Sequence, residues 1–410
     1  MESSRTNLQK LSINPLTGGL YYKTHPRRNI IEKEPNEINP YFNPEPSDLT
    51  TEEKFNLIKS VGYECVDDKD LKAALQEDRF LYAYDGFEPS GRMHIAQGVM
   101  KAINVNRLVD AGCVFIFWVA DWFALLNDKM GGDLEKIRVV GQYFVEIWKA
   151  VGMKMSNVKF LWASDSINGR ADSYWMRVID IARKSTTNRI KKCCTIMGKT
   201  SEASLSMGQM LYPCMQCADI FHMELDICQL GLDQRKVNML ARDYCKKSAD
   251  LKDKVPPIIL SSVMIPGLKK GQYKMSKSDP DSAIFMEDKA EDVTRKLKGA
   301  YCPEGITEEN PCLDYAKYFV LNYFGEFVVE RSEEFGGNKI YHNYEDLEHD
   351  FKDLKLHPSD LKAALIVGMN RILQPVRDHF ENDAFARNLL KKVKQYQEEM
   401  RILKELKKNK

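Results

Sequence analysis

The chain has 410 residues, 43% hydrophobic and 29% charged, enough to bury a sizeable core in two or three domains. Sixty cationic and fifty-nine anionic side chains leave a formal net charge of +1, so any nucleic-acid surface has to be local. No apolar run reaches membrane-spanning length, no signal-peptide core is visible, and ten cysteines without framework spacing read as reduced thiols of a cytoplasmic protein.

Residues 1–48, rich in Asn, Pro, Glu and Lys without sustained periodicity, predict an extension that is flexible or draped over the body. Leu49 or Thr50 can cap a helix over 52–61, and 68–77 predicts another. Phe80 to Tyr84 has the aromatic, apolar composition of a buried strand. Gly86, Pro89, Ser90 and Gly91 then punctuate a turn, and from His94 apolar residues return at helical spacing in Ile95, Val99 and Ile103. Strand, glycine turn and helix open a nucleotide-binding α/β sheet, whose ligands sit beyond the carboxyl ends of strands. A helix N-terminus suits a phosphate. His94, in its first turn, is then either a donor to that phosphate or a solvated or capping residue.

Cys113 to Ala120 is an apolar run expected of a strand covered on both faces. A loop over 121–132, an amphipathic helix over 133–151, a strand over 158–163 and a helix over 171–183 follow. This alternation predicts an α/β fold with a mainly parallel, doubly wound sheet. Arg189, Lys191 and Lys192, within 186–198, form either a solvated basic face or an RNA-phosphate contact. Cys214-x-x-Cys217 lacks a second pair and reads as structural rather than metal-binding. A helix beginning near Tyr212, with Pro213 in its first position, carries Tyr212, Gln216 and Asp219 at i, i+4 and i+7 on one face. Phenol, amide and carboxylate on a buried stripe need polar partners, which makes that face a candidate floor for a small polar ligand. A strand over 225–231 delivers Asp233, Gln234, Arg235 and Lys236 to its carboxyl end, where Asp233 and Gln234 bind ligand, cap the next helix, or both.

Residues 256–271 lead into a lysine loop, Lys274-Met275-Ser276-Lys277-Ser278, which Gly267 and Gly271 flank as they would a mobile lid over phosphates. A helix over 288–297 and an aromatic helix or strand over 315–324 come next. From about residue 329 the composition turns helical, with Ser359 placed to cap a helix that carries Leu361, Leu365, Ile366, Met369 and Ile372. Residues 389–410 read as a helix or frayed tail.

The segments His94-Ile95-Ala96-Gln97-Gly98 and Lys274 to Ser278 resemble the His-Ile-Gly-His and Lys-Met-Ser-Lys-Ser signatures of class I aminoacyl-tRNA synthetases. Ala96 and Gln97 replace the usual glycine and second histidine; an amide can still donate to a phosphate oxygen but carries no charge. With YDGFEPSG (84–91), YPCMQCADI (212–220) and GLDQRK (231–236), the chain from Phe80 to Arg377 is similar to tyrosyl-tRNA synthetases of the archaeal and eukaryotic cytosolic kind.

That resemblance implies a Rossmann-like catalytic domain over 49–328 and a mainly helical anticodon-binding domain over 329–410. It implies a homodimer that joins L-tyrosine to tRNA(Tyr) at the expense of ATP. Tyr84 and Asp219 would bind the substrate phenol, with Gly86 and Glu88 in the same pocket, while Tyr212, Gln216 and Gln234 hold the α-amino end. Gly91, His94, Gly98, Gly231, Asp233, Lys274, Met275, Ser276, Lys277 and Ser278 would bind ATP, with His94, Gln97, Lys274 and Lys277 catalytic. Mg2+ would accompany the triphosphate without a dedicated protein cage. Arg235 and Lys236 would touch the acceptor stem, and Phe335, His357 and Asp360 the first anticodon base, although Asp360 also suits a first helical turn. Three rivals remain: a tryptophanyl enzyme, a smaller nucleotidyltransferase, and a non-catalytic tRNA-binding descendant of a synthetase.

Overall fold

The structure, a computed structural model, describes residues 11–13, 20–22, 39–77, 79–197, 204–252, 254–275 and 279–408. It contains two compact units, one made of Met1–Pro89, Arg107–Ile137 and Met155–Val263, the other of Ser90–Asn106, Arg138–Lys154 and Met264–Lys410.

The first unit is built on a six-stranded sheet. Its strands are β1 (Glu64–Val66), β2 (Tyr82–Phe87), β3 (Val114–Val119), β4 (Val158–Trp162), β5 (Ile227–Gly231) and β6 (Ile258–Ser262). They lie in the order β1-β6-β5-β2-β3-β4, and every neighbouring pair is parallel except β1 against β6. The sheet grows outward from β2 in both directions, so the strand order reverses there, and a doubly wound sheet binds its ligand at the carboxyl end of such a switch point. All six residues of β3 are buried, as a strand covered on both faces requires. On one face Tyr82, Tyr84, Ile116, Trp118, Leu161, Cys228 and Ile259 join a core with helices α1 (Ala171–Arg183), α2 (Met207–His222) and α3 (Arg235–Cys245).

Local differences from the sequence reading have physical causes. Helix α2 starts at Met207, not near Tyr212, because Ser206 and Gln209 form a reciprocal capping box. Pro213 therefore sits inside the helix, where it has no N–H to give to the carbonyl of Gln209. The Cys194 thiol lies 3.5 Å from Gln209 O and 3.3 Å from Ile190 O, and its one S–H is shared between them. The expected loop over 121–132 holds a helix, Asp121–Leu126, because the buried Asp121 carboxylate is satisfied by Ser164 Oγ at 2.6 Å. Strands β1 and β6 went unread: one has three residues, and the other is a short apolar run behind Pro256-Pro257, which periodicity does not separate from a loop.

Residues 39–48 belong to the first unit and are tied to its strand β4 and the turn before it. Asn39 Nδ2 donates to the carbonyls of Met155 and Val158 at 2.8 and 2.7 Å, and Asn157 exchanges two hydrogen bonds with the Glu45 backbone. Most of 1–38 lies outside the described residues, apart from an antiparallel pair, Leu11–Ile13 with Leu20–Tyr22. Thr50 closes a capping box with Glu53 at the head of helix Thr51–Lys59.

The second unit is mainly helical beyond residue 264. It carries α4 (Ala290–Lys298), α5 (Pro358–Asn382), α6 (Ala384–Lys408) and a two-stranded antiparallel ladder, β7 (Phe327–Val329) with β8 (Lys339–Tyr341). The segment expected as helix or strand over 315–324 is helical, with a π-helical turn at Ala316–Leu321. His357, not Ser359, caps α5: its Nδ1 accepts from Ser359 N at 3.2 Å, and Pro358 takes the first helical position. No described helix is long and apolar enough to cross a membrane.

Candidate active site

In the first unit, strand parity turns Tyr84 toward the core side of β2, where it is 1% exposed. Its hydroxyl is buried and has no hydrogen-bond partner among the described residues. Asp219, one turn beyond Gln216 on α2, is equally buried. Tyr174 from α1 donates its hydroxyl to Asp219 Oδ1 at 2.8 Å. Burial pushes the Asp219 carboxyl well above the ordinary carboxylate range, against the hydrogen bond from Tyr174. Burial also pushes the Tyr84 phenol up, with Cys228 and Asp219 adding to it. A buried polar group left unpaired costs roughly 1–3 kcal/mol, a cost that a hydrogen-bonding ligand at the Tyr84 hydroxyl would relieve.

The other two residues of the α2 stripe are paired. Tyr212 donates to Glu88 Oε1 at 2.7 Å, and Gln216 Nε2 donates to Gln234 Oε1 at 3.0 Å. Asn127 Nδ2 reaches both Glu88 oxygens at 3.1 and 3.2 Å, with Lys129 Nζ 3.5 Å away. Thus Tyr212 with Glu88, and Gln216 with Gln234, form two polar pairs. Gly86 lies beside Trp118 with room at ordinary contact distance. Gly231 ends β5, and Asp233, in the turn Leu232–Gln234, accepts from Gln234 Nε2 at 3.4 Å. Neither Asp233 nor Gln234 caps the next helix through its side chain. Arg235 is held by Glu64 in a two-point ion pair at 2.6 and 2.7 Å, and Lys236 Nζ lies 3.4 Å from Thr195 Oγ1. Arg189 is paired with Asp243 at 2.9 Å.

Asn127, Lys129 and Tyr174 were missed by sequence reasoning. Tyr174 had a readable signal: with Val178 and Ile181 it lies on the apolar face of α1, where a phenol needs a polar partner. Asn127 and Lys129 had none, since they lie in the segment read as a loop.

In the second unit, His94 does not lie in a first helical turn. It forms an antiparallel bridge with Phe285, flanked by hydrogen bonds Ile95 N to Ile284 O at 3.0 Å and Met286 N to Met93 O at 2.9 Å. Its carbonyl accepts from Gln97 N and Gly98 N, and a π-helical turn, Ala96–Met100, leads into the helix Lys101–Asp110. Such turns recur at functional sites. Gln97 accepts at its carbonyl from Trp148 Nε1 at 3.0 Å, and its Oε1 is buried without a partner among the described residues. Gly98 leaves no room for a side chain, because a Cβ there would lie 2.2 Å from Met286 Sδ. The close approach at Gly98 is thus that of a methionine. Gly91 has φ +101°, and Arg92 beside it is bound to Glu287 and, at 2.7 Å, to Asp288.

Lys274 is exposed, whereas Met275 is buried and its N–H donates to Ile265 O at 3.2 Å. Gly267 N to Gln272 O at 3.0 Å and Lys269 Nζ to Asp279 at 2.6 Å tie the two sides of this loop. Ser276, Lys277 and Ser278 lie outside the described residues. Phe335 is 68% exposed at the end of a short turn. Arg331 donates to Gly337 O and Lys355 O, both at 2.9 Å, and stands 3.9 Å from Asp360, which links the Phe335 turn to the head of α5 where His357 and Asp360 lie.

Among the described residues no group of three or more His, Cys, Asp or Glu side chains is placed to hold a metal. Burial pushes the Cys214 thiol up to about 12 and that of Cys217 well above its ordinary value, as for inert core thiols.

Residues 76–374 match the family model of class I tRNA synthetases for tryptophan and tyrosine. Cytoplasmic tyrosine–tRNA ligase 1 of Arabidopsis thaliana is 59% identical over 345 residues, covering 84% of this chain and 89% of the relative. The tyrosyl-tRNA synthetase of Leishmania major in complex with tyrosinol superposes with TM-score 0.80 and 51% identity over 85% of this chain; the match spans 52% of that longer chain. The Pyrococcus horikoshii enzyme complexed with L-tyrosine gives TM-score 0.78 and 32% identity over 84% of this chain and 100% of that one. With the family match covering most of the sequence and relatives this similar over most of their length, the chain belongs to the class I aminoacyl-tRNA synthetases, as a tyrosyl-tRNA synthetase of the archaeal and eukaryotic type.

Proposed function

We propose that this tyrosine–tRNA ligase divides its work between the two sets of residues described above. The observation that carries the reading is the buried Tyr84 hydroxyl without a partner among the described residues, with the equally buried Asp219 near enough to push its phenol up. Tyr84 donates to the substrate phenol oxygen, and the phenol O–H donates to Asp219. Phenylalanine would leave the Tyr84 hydroxyl unpaired and would bring Asp219 no donor to add to Tyr174, and so is rejected. Indole offers one N–H donor and no acceptor, and so would leave Tyr84 orphaned, which favours tyrosine over tryptophan. Tyr212, Gln216, Gln234 and Glu88, with Gly86 beside them, form the polar end that takes the α-ammonium group.

The tyrosine carboxylate attacks the α-phosphorus of ATP, and the bond to pyrophosphate breaks to leave tyrosyl-adenylate. His94, Gln97, Lys274 and Lys277 stabilise the charge that gathers on the phosphate oxygens. Gly91, Gly98, Gly231, Asp233, Met275, Ser276 and Ser278 complete the nucleotide set, with Asp233 accepting from ribose hydroxyls. Mg2+ bound to the triphosphate, without a dedicated protein cage, would neutralise part of its charge. In the second step a terminal ribose hydroxyl of tRNA(Tyr) attacks the tyrosyl carbonyl and AMP leaves. Arg235 and Lys236 contact the acceptor stem, and Phe335, His357 and Asp360 read an unstacked anticodon base. The same proposal includes a cytoplasmic homodimer, with residues 49–328 the catalytic domain and 329–410 the anticodon-binding domain.

The test is ATP–pyrophosphate exchange with tyrosine, phenylalanine and tryptophan supplied separately, on the parent and on Asp219→Ala and Lys274→Ala. Exchange with tyrosine alone, lost or greatly reduced in both variants, is expected. Exchange driven as well by tryptophan would overturn the assignment of the pocket.

A further inference from the structure

The family match ends at residue 374, yet a 25-residue helix, α6, follows at Ala384–Lys408. Asp383 turns the chain into it by accepting from Ala386 N at 2.8 Å. Ala386, Leu389 and Val393 form its buried stripe, at 0%, 3% and 0% exposure. The next position on that stripe, one turn beyond Val393, is Gln397.

Gln397 comes to rest on Gly91. A Cβ built on Gly91 would lie 3.3 Å from Gln397 Nε2, 3.7 Å from its Cγ and 3.9 Å from its Cδ, the three nearest atoms being of this one side chain. Gly91 stands at φ +101°, a conformation that costs other residues strain. On its other side Arg92 is clamped by Glu287 and Asp288, and Arg377 of α5 donates to the Asp288 carbonyl at 2.8 Å. The turn that opens the nucleotide signature is therefore fixed on one side by an ion-pair cluster and covered on the other by a helix beyond the family's matched span.

We propose that Gln397 is a positioning residue for ATP: α6 acts as a strap whose Gln397 holds the Gly91 turn in its nucleotide-binding conformation. The proposal rests on the reading of Gly91 as part of the ATP set. A strap of this kind changes the affinity for nucleotide without touching the amino-acid pocket, which sets it apart from a helix that only adds stability.

The experiment measures KM for ATP and for tyrosine, and kcat, in pyrophosphate exchange for five full-length proteins: parent, Gln397→Ala, Gln397→Glu, Lys394→Pro and Gly91→Ala. Lys394→Pro breaks α6 one turn before Gln397 and leaves the Ala386 and Leu389 contacts in place. Thermal melting and KM for tyrosine report whether each variant is folded. Gln397→Ala and Lys394→Pro are expected to raise KM for ATP at least threefold, with KM for tyrosine and kcat within twofold of the parent. Gln397→Glu, which keeps length and packing, should restore more than half of the lost affinity if packing on Gly91 is what matters. Unchanged KM for ATP in both α6 variants, with Gly91→Ala raising it, overturns the strap and leaves the loop reading standing. Unchanged KM for ATP in Gly91→Ala overturns the loop reading and the strap with it. A lowered KM for ATP in the α6 variants overturns the proposal as well, since the helix would then obstruct the nucleotide.

Discussion

Tyr174 donates its hydroxyl to Asp219 Oδ1 at 2.8 Å, so one oxygen of the pocket carboxyl is fixed from within the protein. Tyr84, in the same buried cluster, has a hydroxyl with no partner among the described residues. One donor is thus committed to holding Asp219, and a second, on the function proposed above, is left for the substrate. The pair separates two roles that a sequence motif lists side by side.

Tyr84→Phe follows directly. The substitution removes a buried hydroxyl that forms no hydrogen bond in the ligand-free chain, so stability should hold or rise by about 1 kcal/mol. The same change should raise KM for tyrosine about tenfold, the worth of one hydrogen bond of ~1.4 kcal/mol, and narrow the discrimination against phenylalanine by a similar factor. Urea unfolding and exchange kinetics on both amino acids check the two halves. A marked loss of stability would mean that the hydroxyl is structural.

Asp219 supplies the pH dependence. Burial raises its folded pKa above the unfolded value, so its contribution to stability is fully present below the unfolded pKa of about 4 and is lost as pH rises through the folded pKa. Asp219→Asn keeps an oxygen for Tyr174 and has no proton to lose. Its melting temperature should therefore exceed the parent's by a margin that widens from acid to neutral pH, while tyrosine activation falls by at least tenfold. A margin that stays constant from pH 4 to 8 would show that the carboxyl ionises without cost in the fold.

Much of this site was legible because its residues fall on regular elements. Tyr84 ends the apolar run that reads as a buried strand, with its role implied by the family resemblance alone, and Tyr212, Gln216 and Asp219 follow from the period of α2, even though that helix begins at Met207. The mainly parallel sheet followed from alternating strands and helices, and only the short β1 and β6 escaped. What periodicity does not carry is pairing between distant segments. Tyr174 to Asp219, Asn127 to Glu88, Glu64 to Arg235 and Gln397 against Gly91 each join positions at least 39 residues apart, and none leaves a trace in local spacing. His94 was misplaced for the same reason: its bridge to Phe285, which holds it ahead of the helix, comes from far along the chain.

Arg235 and Lys236 should separate the two steps of the reaction. Arg235 is bound at two points by Glu64, and that partly exposed pair orients the guanidinium at the head of α3. Alanine at either position should leave pyrophosphate exchange within about twofold of the parent. In aminoacylation each should raise KM for tRNA and reduce the slope of log affinity against log salt by about 1, as expected for one lost phosphate contact. Equal damage to exchange and aminoacylation would place these residues at the adenylate instead.

The segment over residues 39–48 gives a prediction about stability that is independent of catalysis. Asn39 is 1% exposed, and its side-chain amide donates to the carbonyls of Met155 and Val158 at 2.8 and 2.7 Å, just before and at the start of edge strand β4. Its Oδ1 accepts from Tyr41 N at 3.1 Å, and Phe42 lies under Lys159 of β4 at 5.2 Å. Asn39→Ala removes two hydrogen bonds to backbone carbonyls, although Met155 O keeps the one from Val158 N at 3.2 Å, and should cost about 1–3 kcal/mol in urea unfolding. Asn39→Asp sharpens the test, because an ionised carboxylate facing two carbonyl oxygens is repelled, while a protonated one can still donate to one of them. The new carboxyl's folded pKa should then lie above its unfolded value, so the variant should approach the parent's stability at acid pH and fall away as pH rises. An Asn39→Asp protein that gains stability from acid to neutral pH relative to the parent would mean that this amide does not hold the segment to β4.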